Sequence, residues 1–167
     1  ERVYAGGRKE TLQSELEFYP QFVSASSFDD HLPALREVEY IFSTWGMPTL
    51  SEEQINRLPA LKAVFYAAGS VQSFARPFLN HNIIVVSAWA ANAVPVAQFV
   101  TAQVLLAVKG YFAAERMCRT SEGRNSFANR YPGIFGNTIS LLGAGMVGTK
   151  TIECLKPFGF HILVYDP

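Results

Sequence analysis

Apolar positions recur along this chain in two rhythms. Short apolar or alternating runs at Val38–Phe42, Leu61–Tyr66, Ile83–Val86, Thr138–Leu142 and His161–Tyr165 are bounded by Gly, Asn, Pro or Ser and read as strands. Gln21–Ala25 reads as a further strand. Between the runs lie segments of helical character. Thr11–Leu16 forms one, Asp29 and Asp30 open a second that ends before Val38, and Ser51-Glu52-Glu53-Gln54 places a capping residue before acids in a first turn. Strands alternating with short helices predict an α/β fold, a parallel sheet covered on both faces.

From Asn92 the pattern changes. Pro95 suits a first helical position, and Val96, Phe99, Val100, Val104 and Ala107 share one face of the helix that follows. Leu105, Leu106 and Val108 make its other faces apolar too, which predicts burial on more than one side, as between two lobes or two subunits. The apolar run Val94–Val108 is interrupted by Gln98, Thr101 and Gln103 and is too short to span a bilayer. Thr120–Gly136, rich in Ser, Asn, Arg and Gly, reads as a polar connection long enough to reach over a neighbour.

The last stretch carries the most chemistry. Strand Thr138–Leu142 runs directly into Gly143-Ala144-Gly145-Met146-Val147-Gly148, a Gly-x-Gly-x-x-Gly turn. Gly143 permits the tight turn, Gly145 lets a pyrophosphate approach the backbone, and Gly148 lets the helix pack closely on the strand. Amides at the helix start then face the phosphates. Gly148, Thr151, Ile152 and Leu155 line one helical face, and Pro157 with Gly159 ends it. Asp166 closes the second strand about twenty residues beyond the turn, where a carboxylate accepts hydrogen bonds from an adenosine ribose and repels a 2′-phosphate. These residues predict dinucleotide binding. A turn that only packs its helix, or one that serves a different nucleotide, is the plainer alternative.

Composition narrows the partners. The chain of 167 residues is 49% hydrophobic and 17% charged, which describes a globular protein with a real core. Fourteen basic residues balance fourteen acidic ones, so no polybasic face argues for nucleic acid or an anionic membrane. Cys118 and Cys154 have no Cys-x-x-Cys spacing and no histidine at ligand distance, which points to inert thiols and to no metal site. No signal-peptide pattern is visible, so a cytoplasmic location is expected. The chain starts without Met and stops just after the second strand of a fold that needs several more, so a longer parent protein is expected. His31, His81 and His161 have no partner at catalytic spacing, and Trp45 either shapes a cleft at a strand end or packs.

In this order the parts resemble the D-isomer-specific 2-hydroxyacid dehydrogenases, the group of phosphoglycerate, glycerate and D-lactate dehydrogenases. Leu61-Lys62-Ala63-Val64 with Gly69-Ser70-Val71 is similar to that family's strand and substrate loop. Asn92 with Val96-Ala97-Gln98 is similar to the segment that opens its long helix, and Leu142–Gly148 with Tyr165-Asp166-Pro167 to its cofactor fingerprint. The resemblance implies a flavodoxin-like substrate lobe over residues 1–91 and the first βαβ part of a Rossmann NAD-binding domain over 92–167. It implies an NAD-dependent oxidoreductase that interconverts a D-2-hydroxy acid and its 2-keto acid, with homodimerisation through the NAD-binding domain. By the same resemblance Gly69 and Ser70 would hold the substrate carboxylate through their amides, Met146 and Val147 would lie under the pyrophosphate, and Asp166 would take the ribose. Asn92 would contact ligand or serve as a cap or hinge, and the family's Arg, Glu and His would lie beyond residue 167. Ala68, Ser70 and Gln72 stand where the family has Gly-x-Gly-x-Asp, Gln98 replaces its usual Glu, and Ala88 its usual Thr, which leaves the particular substrate open. A non-enzymatic NAD-sensing regulator on the same scaffold is the main rival, and an S-adenosylmethionine-dependent methyltransferase a more distant one.

Overall fold

The computed structural model describes residues 3–128, 130–131 and 133–167. It divides into two compact units, Glu1–Trp89 and Ala90–Pro167. Both are α/β, with parallel strands only.

In the first unit helices α1 (Arg8–Glu15) and α2 (Phe28–Leu35) precede strand β1 (Tyr40–Ser43). Helix α3 (Glu52–Asn56) then leads to β2 (Ala63–Tyr66), and α4 (Ala75–Asn80) to β3 (Ile84–Ser87). The sheet order is β1-β2-β3, and each strand reaches the next through a helix, as parallel pairing requires. α3 forms at its position because Ser51 and Gln54 make a reciprocal capping box, satisfying two otherwise orphaned amides. The core is built from Phe28, Leu32, Ile55, Val64, Phe74 and Phe78 with their neighbours, and Val64 and Phe78 are completely buried. Burying each such side chain contributes about 1.5–3 kcal/mol, which is what holds these short helices onto short strands.

Gln21–Ala25 is not a strand. The hydroxyl of Ser24 instead contacts those of Ser26 and Ser27, and the Ser24 and Ser27 amides donate to each other's side chains. Serine side chains here offer the backbone local partners that compete with a sheet ladder.

Helix α5 (Trp89–Val108) starts at the last residue of the first unit and belongs otherwise to the second, followed there by α6 (Tyr111–Met117), α7 (Ser121–Phe127), β4 (Thr138–Leu142), α8 (Met146–Leu155) and β5 (His161–Tyr165). Pro95 lies inside α5 and not at its start, because helix begins six residues earlier, at Trp89. With twenty residues and a mean hydropathy of 1.5, α5 is long and apolar enough to cross a membrane by length and composition alone, which the shorter run Val94–Val108 was not. Its buried positions are Ala93, Ala97 and Thr101, a stripe of small residues at helical spacing. Val94, Val96 and Phe99 stay exposed, so within the chain α5 is covered along one stripe and not all round.

The polar connection Thr120–Gly136 contains helix α7, with Asn129 and Pro132 of that connection outside the described residues. Thr120 caps it, its hydroxyl accepting from the Gly123 amide at 3.1 Å. A Cβ at Gly123 would lie 1.9 Å from the Met117 carbonyl oxygen, because α6 and α7 turn tightly against each other. Gly123→Ala improves helix propensity by about 1 kcal/mol in an open helix. Here it is expected to lower the melting temperature by several degrees, since overpacking costs about 1–3 kcal/mol. A calorimetric melt at or above that of the unmodified chain would refute the close approach.

Candidate cofactor and substrate sites

In a parallel sheet, ligands gather beyond the carboxyl ends of the strands. In the second unit Leu142 and Tyr165 are in register at that edge, and the Gly143 amide continues the ladder to the Tyr165 carbonyl at 2.7 Å. The chain then turns through Gly143 at φ +95°, a conformation that favours glycine, and enters α8 with Gly145 as its N-terminal flanking residue. A Cβ at Gly145 would meet nothing within 4 Å, so the backbone there lies open to a ligand. At Gly148 a Cβ would fall 2.2 Å from the Gly143 carbonyl oxygen and 3.1 Å from a Leu141 methyl group. Met146 and Val147 stand in the first turn of α8, whose first amides have no partner inside the helix.

Two threonines brace this turn. Thr149 donates through its hydroxyl to the Ala144 carbonyl, and Thr151, almost fully buried, to that of Val147, each at 2.8 Å. One Asp166 carboxylate oxygen accepts from the Ala144 amide at 3.1 Å, fixing the carboxylate beside the glycine turn. Open backbone, helix N-terminus and anchored acid together fit the phosphates and adenosine ribose of a dinucleotide.

In the first unit Ser43, Tyr66 and Ser87 are in register at the carboxyl edge. The segment Ala67-Ala68-Gly69-Ser70 leaves β2 there, tied to β1 by the Ala67 amide, which donates to the Ser43 carbonyl at 2.8 Å. Ala68 is fully buried, Gly69 partly buried and Ser70 exposed. Among the described residues the amides of Gly69 and Ser70 donate to no protein group. Asn92 lies in the other unit, within the first turns of α5, so it is not the helix's cap. Trp45, largely exposed, follows β1 at the same edge as the Gly69 turn.

Sequence reasoning passed over two hydroxyls. Thr44, just past β1, has a buried side-chain oxygen with no hydrogen-bond partner, and Ser87, the last residue of β3, donates to the turn after β2. The only signal for either was a hydroxyl residue at the end of an apolar strand. Next to Thr44, the Tyr4 phenol donates to the Ser43 carbonyl at 3.1 Å, and burial pushes its pKa above the ordinary tyrosine value.

The histidines have other partners or positions within their own units. His31 pairs with the Tyr19 hydroxyl at 2.8 Å, and the His81 ring contacts the Pro77 carbonyl and the Asn56 amide oxygen, each at 2.9 Å. His161 begins β5, at the end opposite the glycine turn.

The second unit is therefore of the dinucleotide-binding class. Residues 101–167 match the family model described as D-isomer specific 2-hydroxyacid dehydrogenase, NAD binding domain, and the cofactor of that domain is NAD. Over 145 residues the chain is 27% identical to a formate dehydrogenase of Candida boidinii, covering 84% of this chain and 39% of that protein. Over 121 residues it is 26% identical to a D-3-phosphoglycerate dehydrogenase of Methanocaldococcus jannaschii, covering 71% and 22%. The crystal structure of an NAD-dependent formate dehydrogenase from Staphylococcus aureus in complex with NAD shares the fold, with a TM-score of 0.65 at 24% identity over 96% of this chain and 49% of that one. The chain thus spans half or less of the length of each of these proteins.

Proposed function

We propose that the protein is an NAD-dependent oxidoreductase of the 2-hydroxyacid dehydrogenase type, interconverting a D-2-hydroxy acid and its 2-keto acid. The observation that carries this reading is the anchored Asp166 beside the open glycine turn, within a segment that matches the family's NAD-binding domain. The unit Glu1–Trp89 acts as the substrate lobe, where the free amides of Gly69 and Ser70 hold the substrate carboxylate as oriented backbone donors. Asn92 contacts ligand from α5, and the exposed apolar side chains of α5 form part of a homodimer interface. NAD supplies the hydride acceptor. A base for the hydroxyl proton is also required; His31 and His81 are engaged elsewhere in the first unit, and His161 begins β5 at the end opposite the glycine turn.

Formate is a second substrate to consider, because the Candida boidinii relative is a formate dehydrogenase and formate presents the same carboxylate to backbone amides. The test is a pair of assays on the protein in its native length: NADH oxidation with a series of 2-keto acids, and NAD reduction with formate. Turnover of a 2-keto acid at least tenfold more efficient than that of formate is expected. Formate turnover alone would overturn the hydroxyacid reading. NAD binding without turnover of either would favour the NAD-sensing regulator, and S-adenosylmethionine binding in place of NAD would favour the methyltransferase.

A further inference from the structure

Ser87 stands at the carboxyl end of β3, in register with Tyr66 of β2, so its side chain meets the turn that leaves β2. Its hydroxyl is shared between the Ala68 carbonyl at 3.1 Å and the Gly69 carbonyl at 2.5 Å. In a trans peptide the C=O and the following N–H point in opposite directions, and no described peptide here is cis. Drawing the Ala68 carbonyl toward β3 therefore turns the Gly69 amide away from the sheet, and drawing in the Gly69 carbonyl does the same to the Ser70 amide. Among the described residues neither of these amides donates to a protein group. We infer that Ser87 is a positioning residue, which fixes two consecutive peptide planes so that the Gly69 and Ser70 amides converge outward on a carboxylate.

Without the hydroxyl, both carbonyls lose their only described partner, and the turn is free to rotate these peptides. The donors would then have to be ordered at the moment of binding, which weakens affinity without removing any group that touches the ligand. Ala68 is fully buried and the Ala67 amide is tied to β1, but Gly69 has no side chain to pack and Ser70 is exposed, so the Ser87 hydroxyl is the described restraint on these two peptides.

The inference rests on the carboxylate reading of the turn, and the experiment separates the two. Pyruvate, with methyl pyruvate as an uncharged control, is titrated into the isotopically labelled chain while the amide resonances of Gly69 and Ser70 are followed by NMR. In the unmodified chain pyruvate but not its ester should shift both resonances. Ser87→Ala should weaken the pyruvate response about tenfold, equivalent to ~1.4 kcal/mol, and move the carbonyl carbon shifts of Ala68 and Gly69, with the sheet's other resonances in place. Ser87→Thr should restore binding to within about twofold, whereas the isosteric Ser87→Val should not; that pair carries the test if the alanine variant fails to fold. Equal pyruvate affinity in the threonine and valine variants would overturn the role of Ser87 while leaving the carboxylate site standing. No carboxylate-dependent shift in the unmodified chain would overturn both.

Discussion

Gly148→Ala is expected to lower thermal stability and NAD affinity together, whereas Gly145→Ala lowers affinity alone. The two glycines belong to one motif and fail for different physical reasons. A Cβ at Gly148 would lie 2.2 Å from a backbone oxygen, that of Gly143, which cannot rotate aside as a side chain would. Helix α8 must then shift off β4, at a cost toward the upper end of the roughly 1–3 kcal/mol typical of overpacking. The same shift displaces the first-turn amides and breaks the bracing by Thr149 and Thr151. At Gly145 the backbone has φ −62°, which any residue adopts, and a Cβ would meet nothing within 4 Å. Alanine there should leave the melting temperature within a degree or two, yet fill the space where a pyrophosphate lies against the backbone. Calorimetric melts and titration calorimetry with NAD check both variants. Unchanged NAD affinity in Gly145→Ala would show that the turn packs a helix and cradles no phosphate.

Much of this site was legible because its determinants are local. Gly-x-Gly-x-x-Gly between two apolar runs specifies strand, turn, helix and strand within thirty-odd residues, with an acid at the tip, and the α/β class follows from similar alternation in the first unit. What escaped was decided by contacts between distant residues or by caps hidden in polar sequence. Helix α7 looks like loop by composition, and only Thr120 with Glu122 in the first turn marks its start. Gln21–Ala25 has apolar residues enough for a strand, but a strand exists only if an edge is offered, and Ser24 with Ser27 supplies a local alternative. Pro95 at an apparent helix start misled: it stands in the second turn of α5, where it removes the backbone bond to Ala91 at a cost of about 3 kcal/mol that this twenty-residue helix bears. Which face of α5 is covered cannot be read from a helix apolar all round, and the small residues Ala93 and Ala97 prove to be the buried ones. Thr44 and Ser87 depend on the order in which three strands meet, which no spacing along the chain encodes.

The unmodified protein is expected to bind NAD far more tightly than NADP, and Asp166→Asn to erase much of that preference without loosening the fold. One Asp166 oxygen is held by the Ala144 amide, which leaves the other free for the ribose hydroxyls. That anchoring fixes where the negative charge sits, so a 2′-phosphate arriving there meets a carboxylate that cannot swing away. Pro167 follows immediately, offering no guanidinium to offset the repulsion. Asparagine keeps an oxygen for the Ala144 amide and therefore the turn, but removes the charge. Its NAD affinity should fall by the roughly 1.5–3 kcal/mol that a hydrogen bond to a charged group contributes, about tenfold to a hundredfold, while NADP affinity holds or rises. Asp166→Ala loses the turn's anchor as well, so it should weaken both cofactors and lower the melting temperature, which Asp166→Asn should not. Titration of each variant with both cofactors at constant ionic strength decides the matter. Comparable NAD and NADP affinities in the unmodified protein would sink the ribose assignment outright. A preference for NAD that survives Asp166→Asn undiminished would place the discrimination on some residue other than Asp166.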